Sequence, residues 1–325
     1  MHALPVCDHY SGVPARMRKS LQLQAQLTQE MGACVFDVTL DCEDGASVGA
    51  ELEQARAATA LLHEFQSTNA NPGERARIGV RLHAVDHAAF VSDVKTIVGE
   101  AAAQLAFVML PKIESRAQVD AALAPIDMQA GDIRLPIHVL IESPAAVHQV
   151  FDIAAHPRVQ SISFGLMDFV SAHGGAIPAS AMALGGPSPA WDQFHHPLVL
   201  RAKMEIASAC HAHGKVPSHC VVTELRDTVA IEAAARQAAQ AFGFTRMWSI
   251  HPDQIRPILR GFAPTGDEVE QAAAIVQAAA QQQWAPIAVQ GQLHDRASYR
   301  YFWQVLERAH RTAVVLPLPV RHYFV

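Results

Sequence analysis

The chain has 325 residues, a length that suits one large barrel or two ordinary domains. Half of its residues are hydrophobic and 17% are charged, which is the composition of a globular protein with a substantial core. A net charge of −6 without a basic block argues against nucleic acid as a partner. No run approaches the ~20 apolar residues of a membrane span, so we expect a cytoplasmic protein with no membrane partner. Five cysteines without a C-x-x-C spacing argue against a disulfide framework and against a thiolate zinc site.

Eight short apolar runs alternate along the chain with longer, alanine-rich stretches of helical period. The runs are LPV (4–6), ACVFDVTL (33–40), IGVRL (78–82), AFVML (106–110), IHVLI (137–141), ISFGL (162–166), VPSHCVV (216–222) and RMWSI (246–250). Continuous apolar runs between helical stretches are typical of parallel strands that are buried on both faces. Eight such strands with crossover helices predict an α/β fold, a (β/α)8 TIM barrel over residues 1–263.

Two of the intervening stretches have clear helical patterns. Residues 47–66 carry an apolar stripe at helical spacing, with Ser47 as the expected N-cap. Residues 227–242 carry a similar stripe, and Gly243 is expected to end that helix.

The spacing of the runs is uneven in one place, and the chain continues beyond the eighth run. Residues 170–193 are rich in Gly and Pro and predict a long loop at one end of the barrel. Residues 264–311 predict two helices joined by a turn around GQLHD, and the apolar tail at 314–320 is expected to pack on the barrel or on a neighbouring subunit. We therefore treat residues 264–325 as a second segment.

Ionisable residues gather at the C-terminal end of one apolar run after another. They are Asp41, Glu43, Asp44, Arg81, His83, Lys112, Glu142, Asp168, His219 and His251. The C-terminal strand ends of a (β/α)8 barrel converge on one mouth, where active sites lie. The sequence therefore predicts that these side chains share one site.

The carboxylates of this group predict a cation site. Five acids on three neighbouring strand ends would repel one another at an empty mouth, and a bound cation removes that repulsion. Oxygen-only ligands favour Mg²⁺. For Glu43 and Asp44, pairing with Arg81 or Lys112 is an equally good interpretation. A zinc site built from histidines at the strand ends is a weaker alternative.

The two cations have alternative interpretations as well. Arg81 ends a buried strand, where a guanidinium needs an anionic partner. It is either a fork for a substrate carboxylate or a developing enolate oxygen, or a structural ion-pair partner of Asp41 or Glu43. Lys112 either binds phosphate or neutralises the acids.

Six motifs occur in a fixed order along the chain. They are LDCEDG (40–45), VRL (80–82), LPKIES (110–115), LIES (140–143), FGLMDF (164–169) and SIHPDQI (249–255). Together they resemble the citrate lyase β-subunit and malyl-CoA lyase group of the HpcH/HpaI aldolase superfamily, over about residues 33–310. The resemblance implies a (β/α)8 barrel, Mg²⁺ as cofactor, and reversible carbon–carbon cleavage of a CoA thioester.

The resemblance also implies roles for individual residues. Glu142 in LIES and Asp168 in FGLMD match the metal ligands, and Arg81 matches the substrate-binding arginine. Asp41, Glu43 and Asp44 match the family's acidic string and, with Lys112, are expected to bind substrate. Arg16 is a candidate contact to CoA, and Asp295 in QLHD is a candidate catalytic acid/base. His83 follows VRL where the family usually has Asn.

In this family the segment after the barrel is a lid that covers a neighbouring subunit's site. The resemblance therefore implies that residues 264–325 form a lid and tail, and that the chain is a homo-oligomer, a trimer or hexamer. The expected activity is Mg²⁺-dependent cleavage of a malyl-, citramalyl- or citryl-type CoA thioester. A CoA-free pyruvate-type aldolase and a non-catalytic, carrier-dependent subunit are the two alternatives.

Overall fold

A computed structural model describes residues 4–45, 48–67, 76–185 and 189–324 of the chain. Eight parallel strands form a closed barrel in chain order, with β1 paired to both β2 and β8. The strands are β1 (Cys7–Ser11), β2 (Phe36–Asp41), β3 (Ile78–Arg81), β4 (Phe107–Leu110), β5 (Ile137–Ile141), β6 (Val159–Phe164), β7 (Val216–His219) and β8 (Arg246–Ser249). The predicted (β/α)8 barrel is confirmed.

The first strand lies later than the sequence predicted. Residues 4–6 precede β1, and the strand itself reads CDHYS. The sequence pattern missed this strand because it is not an apolar run. Asp8 and His9 are both buried, and each is hydrogen-bonded to a polar side chain on another element. The apolar run marks the approach to the barrel and not the strand.

Helices cover the outside of the barrel and continue beyond it. They are α1 (Pro14–Met31), α2 (Glu51–Ser67), α3 (Phe90–Asp93), α4 (Gly99–Ala101), α5 (Arg116–Ala130), α6 (Pro144–His148), α7 (Val150–Ala154), α8 (Leu166–Ser171), α9 (Pro197–Ala212), α10 (Thr228–Phe242), α11 (Pro252–Phe262), α12 (Gly266–Gln281), α13 (Arg296–Arg311) and α14 (Leu318–Arg321). Helix α10 ends at Gly243 as predicted, with φ +73° at that residue. Helix α2 begins at Glu51, and the predicted cap Ser47 lies outside the described residues.

The barrel interior has an apolar layer and an ionic layer. Phe107, Met109, Leu140 and Trp248 form a separate buried cluster. The ionic layer lies near the strand starts, where Arg246 on β8 is completely buried. Its Nη2 lies 3.0 Å from Asp8 Oδ2 and 2.7 Å from Asp37 Oδ2, and Arg77 adds a second pair to Asp37 at 2.6 Å. We refer to these four charged residues as the ionic floor.

The long loop predicted after the sixth strand is present between α8 and α9. Its described residues contain only two short 3-10 turns, Ala179–Met182 and Pro189–Trp191. The loop is fixed at its end by Lys203, whose buried ammonium group donates to the Gln193 carbonyl oxygen over 2.8 Å.

The segment after α11 consists of two helices joined by a β-hairpin. Helices α12 and α13 pack against each other through their own apolar clusters. The predicted turn around GQLHD is a β-hairpin, β9 (Ile287–Val289) with β10 (Gln292–His294), whose turn residues Gln290 and Gly291 both have positive φ. Residues of the apolar tail join the α12–α13 cluster, and Arg311 donates to the Leu4 carbonyl oxygen near the start of β1. Within the ranges given above, no helix combines the length and apolar character needed to cross a membrane.

Candidate active site

The C-terminal strand ends bring the predicted acids and Arg81 to one mouth. Asp41 and Arg81 are the last residues of β2 and β3, and Glu142 directly follows β5. Asp168 lies in the first turn of α8, which follows β6 after a single glycine, Gly165. Asp41, Arg81 and Glu142 are buried, whereas Asp168 is exposed. One exposed and one enclosed carboxylate therefore flank the same opening.

Glu142 is held by its neighbours in a defined position. Its Oε2 accepts a hydrogen bond from the Lys112 backbone N–H over 2.8 Å, and Lys112 has a left-handed backbone with φ +52°. A Cβ at Gly165 would lie 2.6 Å from Glu142 Oε1, so only glycine leaves room for this carboxylate. Burial, with Glu43 and Asp168 close by, raises the pKa of Glu142 to about 7.

Arg81 is surrounded by the acidic loop after β2. Nε and Nη2 donate to the two carboxylate oxygens of Asp41 over 2.7 and 2.8 Å, Nη1 lies 2.6 Å from Glu43 Oε2, and Nη2 lies 3.0 Å from Asp44. The guanidinium carbon also lies 4.4 Å from the centre of the Tyr10 ring. The structural ion pair, one of the two interpretations of Arg81, is thus present. The fork to substrate stays a prediction.

Lys112 joins the same network through its side chain. Its Nζ lies 2.6 Å from Glu43 Oε1, so Lys112 neutralises the acid cluster. Burial raises the pKa of Glu43, and the hydrogen bond from Lys112 opposes that rise. Binding of phosphate by Lys112 stays a prediction.

Glu142 and Asp168 suit a magnesium ion. Both line a cleft of about 470 Å³ at the mouth. Mg²⁺ is commonly held by one or two carboxylates, while water and substrate oxygens complete its octahedron. The position of Glu142, kept clear of a Cβ by Gly165 and held near a second carboxylate, fits this requirement.

The alternative zinc site is not supported. Across the described ranges no three His, Cys, Asp or Glu side chains are placed to hold a metal together. His83 Nδ1 is bonded to Asp93, His219 is fully buried against Phe194, and His251 caps α11. These imidazoles are used in packing and hydrogen bonding.

Asp295 and Arg16 lie on helix starts. Asp295 is the exposed N-cap of α13, where its Oδ1 accepts from the Ala297 N–H over 2.9 Å in a capping box with Ser298. Arg16 is exposed in the first turn of α1. The cap role of Asp295 is observed, and its catalytic role and the CoA contact of Arg16 remain predictions.

Several residues that shape the mouth were not singled out from the sequence. Gly12 and Gly45 pack so closely that a Cβ on Gly12 would lie 2.6 Å from Gly45 Cα, which fixes the acidic loop against the loop after β1. Asp93 supports His83, and Gly165 makes room for Glu142. Two of these residues lie inside the sequence motifs, Gly45 in LDCEDG and Gly165 in FGLMDF, and could have been found there.

Comparison with known proteins shows the family to which this chain belongs. The model of the family described as HpcH/HpaI aldolase/citrate lyase matches residues 22–252, which contain seven of the eight strands and all the mouth residues from Asp41 to His251. The chain belongs to the HpcH/HpaI aldolase/citrate lyase family. It is accordingly an enzyme of the carbon–carbon lyase type.

Relatives within the family span most of the chain. The L-malyl-CoA/β-methylmalyl-CoA lyase of Cereibacter sphaeroides is 29% identical over 78% of this chain and 80% of its own length. The citrate lyase subunit beta-like protein of Mycobacterium tuberculosis is 28% identical over 84% and 87%.

Solved structures of the family share the fold. A citrate lyase from Burkholderia xenovorans LB400 is 46% identical, covers 99% of this chain and 96% of its own, and superposes with a TM-score of 0.81. The M. tuberculosis protein CitE in complex with magnesium, acetoacetate and coenzyme A is 23% identical over 95% of this chain and 99% of its own, with a TM-score of 0.66.

Proposed function

We propose that this protein is a Mg²⁺-dependent lyase that cleaves a carbon–carbon bond in the CoA thioester of a β-hydroxy acid. The observation that carries the proposal is the pair Glu142 and Asp168 on one cleft, in a chain related to malyl-CoA/β-methylmalyl-CoA lyases. A magnesium ion there would supply a Lewis acid for a substrate carboxylate and the adjacent oxygen. Glu142 and Asp168 would be its ligands.

The surrounding residues would bind and polarise the substrate. Arg81 would stabilise the negative charge that develops on the thioester enolate, because it is a buried donor at the mouth. Asp41 accepts hydrogen bonds from Nε and Nη2 of Arg81. Nη1, which faces Glu43, would be the nitrogen that exchanges its partner for the substrate. Glu43, Asp44 and Lys112 would adjust their mutual pairing as the substrate enters.

Two residues outside the mouth complete the proposal. Asp295, from the lid of a neighbouring subunit in a homo-oligomer, would act as general acid/base at the acyl carbon. It is exposed, and only its Oδ1 is used in capping α13. Arg16, exposed in the first turn of α1, would contact CoA.

A thioester cleavage screen tests the proposal. Malyl-, β-methylmalyl- and citramalyl-CoA are incubated with the protein and Mg²⁺, and release of free acyl-CoA and carbonyl product is followed. We expect cleavage of at least one ester, lost with EDTA and in Glu142→Ala, and kept in Glu114→Ala, which removes an exposed acid from the same cleft. Aldol addition by pyruvate without any CoA ester would instead favour the CoA-free aldolase.

A further inference from the structure

Two buried polar side chains at the mouth have no part in the proposed function. His83 follows β3 by two residues, and Asp93 ends α3. The imidazole Nδ1 lies 2.6 Å from Asp93 Oδ2, and the backbone N–H of His83 donates to the same oxygen over 3.0 Å. Their side chains are 6% and 1% exposed. They form a dyad in which one hydrogen bond orients the imidazole and a second, from the His83 backbone, holds the Asp93 carboxylate in place.

Asp93 determines which imidazole nitrogen carries the proton. A carboxylate only accepts hydrogen bonds, so Nδ1 is the donor and neutral His83 keeps its lone pair on Nε2. Burial raises the pKa of Asp93, and the hydrogen bonds from His83 act against that rise. In the described ranges Nε2 has no hydrogen-bond partner and is not fully enclosed by the protein. It is free to accept a proton from a ligand.

The dyad borders a second, smaller cleft that adjoins the metal cleft. This cleft has a volume of about 200 Å³, and the His87 ring stacks on His83 at its side with 4.5 Å between centres. Lys112 lies between the two clefts, since it lines both, and its ion-pair partner Glu43 lines the smaller one. A ligand on the metal pair would therefore reach His83 past one half-exposed lysine side chain.

The charged groups around His83 are mostly carboxylates. The groups that face it are Glu43 and Asp44 from the segment after β2, Glu51 from α2, His87 and Asp93 from the segment after β3, and Lys112 from the segment after β4. Four carboxylates thus face one ammonium group, and Arg81 is already shared among three acids. The described residues around the cleft thus carry more negative than positive charge.

We propose that His83 is a further catalytic residue of this site, which takes the proton of the substrate's β-hydroxyl group on Nε2, with Asp93 as its positioning residue. The inference rests on the proposed function. As the proton moves to Nε2, the hydroxyl oxygen forms a carbonyl and the bond between its carbon and the thioester α-carbon breaks. The electron pair of that bond remains on the thioester as its enolate, which is then protonated. Nε2 would recognise the hydroxyl group of a β-hydroxy acid, a donor that a keto acid lacks.

The first experiment measures binding, independently of turnover. L-Malate and pyruvate, each with Mg²⁺, are titrated into the wild type, His83→Asn and the matched control His87→Asn. His83→Asn keeps a polar side chain but loses the base, and we expect it to weaken malate at least tenfold while pyruvate changes little. Equal effects on both ligands, or an equal loss in His87→Asn, would overturn the hydroxyl contact.

The second experiment measures catalysis and tautomer. On the cleaved ester, at saturating Mg²⁺ so that Glu142 stays ionised, His83→Asn is expected to lower kcat by roughly 10²-fold and to change the acidic limb of the pH profile, which Asp93→Asn would shift. Long-range ¹H–¹⁵N spectra should show His83 protonated at Nδ1, with the signal assigned from the variant. Unchanged kcat and pH profile in His83→Asn would refute the inference and leave the proposed function standing. If the wild type cleaves no ester, the proposed function fails, and the malate–pyruvate comparison still decides the hydroxyl contact.

Discussion

Gly165→Ala tests the metal site through a single methyl group. Gly165 has φ −87° and ψ 80°, which alanine adopts without left-handed strain, so the effect is steric. The new Cβ would clash with Glu142 Cγ and would lie 2.6 Å from Oε1 and 2.9 Å from Cδ, whereas ordinary contact begins near 3.4 Å. The Glu142 side chain must therefore move by at least about 0.8 Å, the shortfall at Oε1. Metal–ligand distances tolerate only about 0.2 Å, so Glu142 would leave its place.

The expected loss is about 10- to 100-fold in metal affinity, the range for disturbing the support of a ligand. Mn²⁺ binding is followed by electron paramagnetic resonance, and Mg²⁺ is measured by competition. Gly266→Ala is the matched control, because a Cβ there meets nothing within 4 Å. Wild-type Mn²⁺ affinity in a folded Gly165→Ala protein would refute the assignment of Glu142 as a ligand held against Gly165.

Four further outcomes follow from the contacts described above. Alanine at either proposed metal ligand should abolish Mg²⁺-dependent cleavage with the circular dichroism spectrum unchanged, and a variant that keeps full Mg²⁺-dependent cleavage would contradict the assignment. Arg81→Lys should lower kcat roughly 10²-fold, since an ammonium cannot replace the planar fork, and an effect on KM alone would indicate ground-state binding only. Asp295→Asn mixed with Glu142→Ala should regain activity on subunit exchange, and continued inactivity despite exchange would leave Asp295 a helix cap. Arg246→Met should cost about 3–5 kcal/mol in denaturant unfolding because buried Asp8 loses its arginine and buried Asp37 loses one of its two, whereas Arg201→Met, which breaks an exposed pair, should cost under about 1 kcal/mol.

The parts of the fold that depend on local sequence were predictable. Seven apolar runs coincide with strands because a strand buried on both faces requires them, and Gly243 ends α10 because it adopts φ +73°. The first strand was misplaced because its inward residues are polar. Asp8 belongs to the ionic floor, and its partner Arg246 lies more than 200 residues away in the chain.

The site was predictable in its members and less so in its contacts. Acids at successive strand ends identify the mouth, since a barrel brings those ends together. Whether Arg81 faces substrate or Asp41 depends on side-chain geometry that spacing does not contain. The same holds for Asp93, which lies ten residues after His83 in the chain and meets it only in the folded structure. It also holds for Gly165, whose small size matters because Glu142 packs over it.

Lys112 contributes to the mouth through its backbone and, separately, through its side chain. Its backbone N–H, at a residue with φ +52°, donates to Glu142, and its ammonium group reaches Glu43 through the side chain. A saturation library at this codon would therefore divide into classes. Glycine and asparagine would keep the amide in place and lose the charge, arginine would keep a charge at the cost of the same backbone strain, and valine or isoleucine would forfeit both. The ranking of these classes by enzymatic fitness would show whether selection at position 112 acts on the main chain or on the cation.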